Sequence, residues 1–315
     1  MTLNPMRMEN KTSVRVFVFS GLTDDSSLVP FLFIFFLLVY MVTVVGNVGM
    51  MIAVRTLSSL HSPMYYFLSY LSMVDLCLSS AVTPKMLCDL WSDMKSISFH
   101  CCALQLFFFA GLAVTESLVL SGMSYDRYVA ICHPLYYITI MTKTKCLVLL
   151  LLASSIGLLQ AFIQTTCIFS LEYCRMNIID HYYCDIPPLL KLSCSRTLPC
   201  YILSVISMSL CGVGAMLMVF VSYTLIVTSI LQMKSMEGRK KAFSTCSSHM
   251  LCVAIFYGTS CFVYLRPPST VFEKQDQVVS IIYTVMIPMV NPLIYSLRNR
   301  EVKKAVKEAL CRFQL

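Results

Sequence analysis

Charged residues are scarce in this sequence. Only 13% of its 315 residues are Asp, Glu, Lys or Arg, whereas 57% are hydrophobic. A soluble domain carries about 25% charged residues, so a soluble fold of this composition would lack polar surface. Residues 28–54 contain no charged side chain at all, and roughly 20 apolar residues in a helix cross the hydrocarbon core of a bilayer. The scarcity of charge excludes a soluble protein and indicates an integral membrane protein.

Several other features are missing. The chain shows no internal repeat, no low-complexity tract and no soluble domain, and residues 1–27 lack the unbroken apolar core of a cleavable signal peptide. A transporter or channel would show inverted repeats or several charges along a midplane path. A membrane hydrolase would need paired ionisable groups at helical spacing. The spans hold only two carboxylates, Asp75 and Glu116, far apart in the sequence. Both classes are therefore disfavoured, and we expect no enzyme and no cofactor.

Seven long apolar runs separated by short polar or proline-containing joints predict seven transmembrane helices. Each run far exceeds the roughly 10 residues of a barrel strand, and prolines at 84, 288 and 292 are tolerated as kinks in membrane helices. The prediction is an all-α membrane protein, a seven-transmembrane helix bundle with a short C-terminal interfacial helix. Its parts are an extracellular segment 1–27, a bundle 28–297 with spans near 28–54, 63–86, 99–125, 146–169, 198–231, 242–265 and 278–297, and a cytoplasmic tail 298–315.

The basic residues predict the orientation. With the N-terminus outside, the cytoplasmic side carries 14 Lys and Arg against four Asp and Glu, whereas the outer side carries ten of each. Cytoplasmic loops are enriched in Lys and Arg. The net charge of +8 therefore marks a membrane face rather than a nucleic-acid-binding surface. The sequon at Asn10, which can be glycosylated only outside the cytosol, agrees with this orientation.

The 16 cysteines divide by location. Those within spans are expected to be small buried apolar residues: Cys77, Cys132, Cys146, Cys167, Cys211, Cys246, Cys252 and Cys261. The long outer loop carries three more at intervals of ten, and two open the third span on the same oxidising side. The favoured bridges are Cys102–Cys184 and Cys174–Cys194, with Cys101 as the alternative partner of Cys184, because sequence does not determine connectivity. His181 in "HYYC" has no second ligand pair of suitable spacing, which argues against a metal site.

Two short motifs and several longer stretches carry a family resemblance. "DRY" at residues 126–128 ends the third span and "NPLIY" at 291–295 lies in the seventh, and together they resemble the rhodopsin-like G-protein-coupled receptors. Five stretches are similar to the odorant (olfactory) receptors: "LHSPMYYFLSYLSMVD" (60–75), "MSYDRYVAICHPL" (123–135), "SY" (222–223), "KAFSTCSSHM" (241–250) and "PMVNPLIYSLRN" (288–299). This resemblance covers nearly the whole chain.

The resemblance implies a function. The chain is expected to be an odorant receptor of the plasma membrane that binds a small volatile and activates a heterotrimeric G protein of the stimulatory or olfactory type, raising cyclic AMP. Its partners would be the odorant, the G protein and membrane lipid, with no nucleic acid. The alternative is a non-olfactory rhodopsin-like receptor for a small lipophilic ligand, against which the stretches at 60–68 and 241–250 argue.

The resemblance also implies a switch at the cytoplasmic end. Charges are expensive in hydrocarbon, so adjacent acid and base at a membrane boundary predict an ion pair. Arg127 held by Asp126 would keep the inner end closed until the sixth helix swings outward, when Tyr223 and Tyr295 would reach inward. The expected switch and coupling residues are Asp126, Arg127, Tyr128, Tyr223, Lys240, Lys241, Asn291, Pro292 and Tyr295.

Two carboxylates lie in the middle of the membrane. Asp75 and Glu116 each cost roughly 2.5–3.5 kcal/mol on insertion scales, so both should face the bundle interior. The predicted neighbours are Asn47, Ser72, Ser121 and Asn291. In related receptors a sodium ion binds at such a place, and a sodium ion or a proton would serve equally here.

The outer half of the bundle is expected to hold the ligand. Phe109 precedes Arg127 by eighteen residues, which places it ~27 Å towards the outside at 1.5 Å per residue. The predicted lining comprises Phe109, Ala110, Ala113, Val114, Ser207, Cys211, Tyr257, Ser260, Cys261, Tyr264 and Thr284. It is apolar with a few hydroxyls and no charge, which suits a small, neutral, mostly hydrophobic molecule. Amines are disfavoured because no carboxylate faces them there.

The tail 299–315 has an amphipathic pattern. Val302, Val306, Ala309 and Phe313 recur at spacings of four, three and four, which predicts a helix lying in the membrane interface. Cys311 is either palmitoylated or a plain exposed cysteine.

Overall fold

The computed structural model of the chain describes residues 14–23, 25–174, 177–264 and 273–298. Asn10, the tail helix and Cys311 lie outside the described residues. The helices are α1 Val29–Thr56, α2 Pro63–Leu90, α3 Phe99–Cys132, α4 Tyr137–Ile140, α5 Lys143–Phe169, α6 Ile186–Leu192, α7 Leu198–Met208, α8 Gly214–Gln232, α9 Met236–Tyr264, α10 Glu273–Ile281 and α11 Ile287–Arg298. The strands are β1 Val16–Phe19, β2 Ser96–Ser98 and β3 Ile178–Ile179.

Long apolar helices dominate the fold. Six segments are long and apolar enough to cross a membrane: α1, α2, α3, α5, Leu198–Gln232 and Gln277–Tyr295. The helix α9 contributes a shorter apolar stretch, Cys246–Phe262, which gives the bundle its remaining long helix. The chain is a multi-pass membrane protein with a helical bundle of the seven-transmembrane kind. The helix α9 begins at Met236 rather than near 242, because its polar first turns extend beyond the apolar run.

Two spans contain a π-helical turn. Ser209–Val213 joins α7 to α8, and Ile282–Met286 joins α10 to α11. Such turns insert one residue into a helix and are frequent at functional sites. The predicted fifth and seventh spans are therefore each composed of two α-helical segments.

The helix α3 lies at the centre and packs against α2, α5, α8 and α9. Its contact with α5 is close, because a Cβ placed on Gly157 would lie only 2.5 Å from the carbonyl oxygen of Gly111. Small residues permit such approach between membrane helices. Glycine at position 157 is thus required by the packing of α5 on α3.

The end of the bundle that is predicted to face outward carries a small sheet with strand order β2-β1-β3. The strand β1 pairs antiparallel with β2, with Phe17 opposite Ile97, and parallel with β3, with Val18 opposite Ile178. The N-terminal segment is thereby tied both to the entry of α3 and to the long outer loop.

Three disulfides lie at this same end of the bundle. Cys102–Cys184 and Cys174–Cys194 are the two pairs that the sequence favoured, and Cys101 is a free exposed thiol. The third, Cys167–Cys200, joins α5 to α7. The interpretation of Cys167 as a buried apolar residue was therefore wrong, because the outer end of α5 meets the start of α7. Cys77 is likewise exposed on the outside of α2 rather than buried.

Candidate functional site

The two membrane carboxylates share one amide. Asn291 Nδ2 donates to Asp75 Oδ2 at 3.0 Å and lies 3.4 Å from Glu116 Oε1. Asp75 and Glu116 are 0% and 1% exposed, so the amide partly offsets their burial. Asn47 instead donates to the carbonyl of Pro288 at 2.9 Å and ties α1 to α11. Of the four predicted neighbours, Asn291 is the one whose side chain bonds the carboxylates within the described chain.

This carboxylate pair fits a small cation or a proton. Asp75 Oδ1 is buried without a hydrogen-bond partner, and carboxylate oxygens are the ligands that hard cations prefer. No group of three or more His, Cys, Asp or Glu side chains that suits a metal occurs among the described residues. A cation at this place would therefore depend on two carboxylates together with neutral oxygens.

At the end of the bundle that is predicted to be cytoplasmic, a tyrosine from the following loop hydrogen-bonds Asp126. The Tyr137 hydroxyl donates to Asp126 Oδ1 at 2.9 Å, and Asp126 is fully buried. Among the described residues no salt bridge joins Asp126 to Arg127, and Asp126 Oδ2 and Arg127 Nε are buried without hydrogen-bond partners. The expected direct ion pair was wrong in this conformation, because successive helical side chains point about 100° apart and the carboxylate instead accepts a hydrogen bond from Tyr137.

The other switch residues have separate neighbours. Tyr223 bonds His249 Nδ1 at 2.6 Å, and His249 Nε2 lies 3.2 Å from the carbonyl oxygen of Leu120 on α3. Tyr295 is 1% exposed, and the Tyr128 hydroxyl bonds His133 at 3.0 Å. Sequence reasoning missed His249, although "SSHM" places a histidine inside an apolar span. Pro292 packs near Gly46, Lys240 is exposed, and the side chain of Lys241 lies outside the described residues.

In the outer half, three aromatic rings meet. Phe109 packs against Tyr183 at 5.0 Å between ring centroids and against Tyr283 at 5.9 Å. The hydroxyls of Tyr183 and Tyr283 are bonded to each other. The predicted lining included Phe109 but missed both tyrosines, since no local pattern indicates that the outer loop inserts between the helices.

The other predicted lining residues differ in their surroundings. Ala110, Ala113 and Val114 are partly exposed although α3 is the central helix. Deeper in the bundle, the Tyr257 hydroxyl bonds the side chain and carbonyl of Ser117 at 3.0 and 3.1 Å. Thr284 is buried and bonded to Tyr182, while Ser260, Cys211 and Cys261 are partly exposed. The side chain of Tyr264 lies outside the described residues.

Ser207 has a different neighbour from the one expected. It lies 3.3 Å from Gln160 Nε2 on α5, while Gln164 Nε2 donates to Ser204 at 2.9 Å. With Cys167–Cys200 these contacts form three successive links between α5 and α7. Ser207 therefore contributes to a helix–helix contact.

Residues 181–185, "HYYCD", bind the outer loop to the seventh span. His181 bonds Ser280 at 3.2 Å and Tyr182 bonds Thr284 at 2.9 Å, and Tyr183 bonds Tyr283. The Cys184 amide donates to Gln105 of α3 at 2.9 Å. Burial lowers the pKa of His181 to about 3 and raises the pKa of Asp185. These contacts hold residues 181–185 over Phe109, and this segment is called the roof below.

Comparison with known proteins places the chain in a family. The model of the olfactory receptor family matches residues 36–313. The chain is 51% identical over 308 residues to olfactory receptor 5AR1 of Mus musculus, covering 97% of this chain and 98% of that protein. It is 50% identical to olfactory receptor 5AR1 of Homo sapiens with the same coverage, and 48% identical to human olfactory receptor 5F1, covering 98% of both. Members of this family are receptors and not enzymes. The chain therefore belongs to the olfactory receptor family.

Proposed function

We propose that this odorant receptor binds a small, neutral, mostly hydrophobic volatile beneath the roof formed by residues 181–185. The observation that carries the proposal is the contact of Phe109 with Tyr183 and Tyr283. It sets aromatic surface and hydroxyl groups side by side, as in the pockets of small apolar ligands. The nearby carboxylate, Asp185, is engaged by the Ile186 amide at 2.8 Å and by Tyr183 at 3.0 Å, so an amine gains little there.

We infer further that ligand binding activates a heterotrimeric G protein of the stimulatory or olfactory type. The coupling surface would be the inner end of α3 with the turn between α8 and α9, where Lys234 and Lys240 are exposed. The amphipathic tail would lie beside it. Asp126, Arg127 and Tyr128 would form the switch, with Tyr137 holding Asp126 in the resting conformation.

An odorant panel tests this function. Cells expressing the chain, with surface protein verified by an N-terminal tag, are exposed to neutral volatiles while cyclic AMP is measured. We expect a rise with some of them, loss of that rise in Arg127→Ala, and weaker responses in Phe109→Ala. A panel without any rise, from verified surface protein, contradicts the proposed function.

We propose that the receptor lies in the plasma membrane with its N-terminus outside and its C-terminus in the cytosol. The three disulfides at one end of the bundle support this orientation. Disulfides persist in oxidising compartments. A glycosidase-sensitive mass shift that disappears in Asn10→Gln would support it. Accessibility of a C-terminal tag on intact cells would contradict it.

A sodium ion or a proton is proposed to neutralise Asp75 and Glu116. The unpartnered Oδ1 of Asp75 beside a second carboxylate supports both alternatives. Thermal stability of the purified receptor in sodium chloride and in N-methylglucamine chloride separates them. Stabilisation by sodium that is lost in Asp75→Asn favours the ion, and equal stability in both salts favours the proton.

A further inference from the structure

The loop between α2 and α3 presents two large apolar side chains to its surroundings. Trp91 is 62% exposed and Met94 is 71% exposed, and Trp91 is the only tryptophan of the chain. Contact between apolar surface and water is unfavourable. Tryptophan is enriched in the lipid headgroup region of membranes, because its ring is apolar and its N–H is polar. The loop therefore has the composition of a segment that contacts lipid.

The backbone of this loop is hydrogen-bonded within the protein. The Trp91 amide donates to the carbonyl of Cys88 at 3.3 Å. The carbonyl of Met94 accepts from the Ser96 amide at 2.8 Å and from the Ser92 hydroxyl at 2.9 Å. Unpaired backbone groups are costly where water is scarce, so these bonds lower the cost of placing the loop at the boundary of the membrane.

The contact of Trp91 with α1 indicates its depth. The indole packs edge-on against Phe33 at 5.7 Å between ring centroids. The helix α1 has 28 residues and is thus about 42 Å long, close to the roughly 40–45 Å of a bilayer with its headgroup regions. In a helix centred in the bilayer, Phe33 lies about 14 Å from the midplane, near the edge of a hydrocarbon core about 30 Å thick. The indole therefore lies where the hydrocarbon meets the headgroups.

The surface around Phe33 is continuous with the face of α1 that contacts lipid. Phe31, Ile34 and Leu38 are exposed and recur at helical spacing in a span without charge. Leu37, one turn further along α1 on the same side as Phe33, is also exposed. Exposed apolar side chains thus extend along α1 up to the indole of Trp91, and the lipid that covers this face of α1 reaches the loop.

We propose that Trp91 anchors the loop between α2 and α3 in the headgroup region of the bilayer, so that the partner of this surface is lipid. The same loop holds the N-terminal segment, because the Lys95 ammonium donates to the carbonyls of Ser20 and Thr23 at 3.3 and 3.4 Å. The Ser20 hydroxyl in turn donates to Asp180 Oδ1 at 2.9 Å, next to the roof. The membrane boundary thereby positions the small sheet as well as the spans.

The single tryptophan allows this anchor to be tested on the unmodified chain. The purified receptor, with a tag free of tryptophan, is reconstituted in phosphatidylcholine vesicles. Its fluorescence is measured with lipids brominated near the headgroup or near the end of the acyl chain, and with iodide on both sides of the membrane. We expect a large loss with the shallow bromines, a smaller loss with the deep bromines, and weaker quenching by iodide than for N-acetyltryptophanamide in the same suspension. Full iodide quenching without quenching by either brominated lipid would place the loop in water and overturn the inference.

Two variants calibrate the depth. Trp91→Phe removes the only tryptophan and gives the background signal. Adding Leu38→Trp to it moves the probe to an exposed position about 7 Å from the middle of α1, where the deep bromines should quench more than the shallow ones. A Trp91 that shows this deeper pattern contradicts an anchor at the boundary. Protection from iodide and from both brominated lipids also overturns the inference, because protein such as a second copy of the chain would then cover the ring. If the Leu38→Trp variant does not fold, the measurements on the unmodified chain still decide.

Discussion

The hydroxyl of Tyr137 donates a hydrogen bond to Asp126 Oδ1 at 2.9 Å. Tyr137 belongs to the short helix α4 between the third and fourth spans, while Asp126 is buried near the inner end of α3. The acid of the "DRY" motif is therefore satisfied by a loop residue in this conformation. The inner end of the bundle depends on the position of α4 as well as on the motif itself.

Tyr137→Phe should destabilise the receptor by about 1–3 kcal/mol, because it leaves a buried carboxylate oxygen without its donor. The measurement is thermal unfolding of the purified receptor. Tyr136→Phe is the matched control, since Tyr136 is 64% exposed and should change stability by less than about 0.5 kcal/mol. Equal effects of the two substitutions would contradict the role of the Tyr137 bond.

Breaking the Cys167–Cys200 disulfide should lower the free energy of unfolding by about 3 kcal/mol, as expected for a bridge that closes a chain loop of intermediate length. Because either substitution removes the same bond, Cys167→Ser, Cys200→Ser and the double variant should show the same unfolding temperature. Cys77→Ser, which removes a free exposed thiol, is the control. A double variant with the summed loss of the two single variants would show that the cysteines act independently.

Two Gly→Ala substitutions should act in opposite directions. At position 157 the added Cβ meets the backbone of Gly111 at 2.5 Å, so α5 must move away from α3, at a cost of about 1–3 kcal/mol. At Gly258 the added Cβ meets nothing within 4 Å, and alanine should stabilise the helix by about 0.5–1 kcal/mol. Unfolding temperatures that shift in the same direction would contradict the close α3–α5 contact.

Stability should fall as the pH drops below 6.5. The ordinary pKa of histidine is 6.5, and burial lowers the pKa of His181 to about 3. Between these values the unfolded chain binds a proton that the folded protein does not, so folding loses up to about 1.4 kcal/mol per pH unit. His181→Gln should reduce this dependence between pH 6.5 and about 3, whereas His100→Gln, at an exposed position, should not. An unchanged slope in His181→Gln would indicate a protonated imidazole.

The sequence allowed some of these features to be predicted and not others. Hydropathy located the spans, since membrane helices must be apolar along their length, and the need to satisfy buried carboxylates led to Asn291. The sequence did not predict well which face of each helix points into the bundle, because several spans are apolar on every face. Ser207 was accordingly placed towards the ligand, whereas it contacts Gln160.

Contacts between residues far apart in the sequence were the other features that could not be predicted. Cys167 and Cys200 each lie at the end of an apolar span, and nothing local tells that those ends meet. The insertion of Tyr183 beside Phe109 and Tyr283 likewise depends on how the outer loop folds back, which the Cys102–Cys184 bridge fixes only in part. The roof of the site therefore had to be read from the structure.

The π-helical turn at Ser209–Val213 determines the direction in which the side chains of α8 point. One inserted residue rotates the downstream face by about 100°, so α7 presents Ser204 to α5 while α8 presents Tyr223 to His249. Deleting one residue from this turn would restore a regular helix. The side chain of Tyr223 would then rotate by about 100° around the helix axis and lose its contact with His249. The contact of Ser204 with α5 and the contact of Tyr223 with His249 could then no longer form in the same continuous helix.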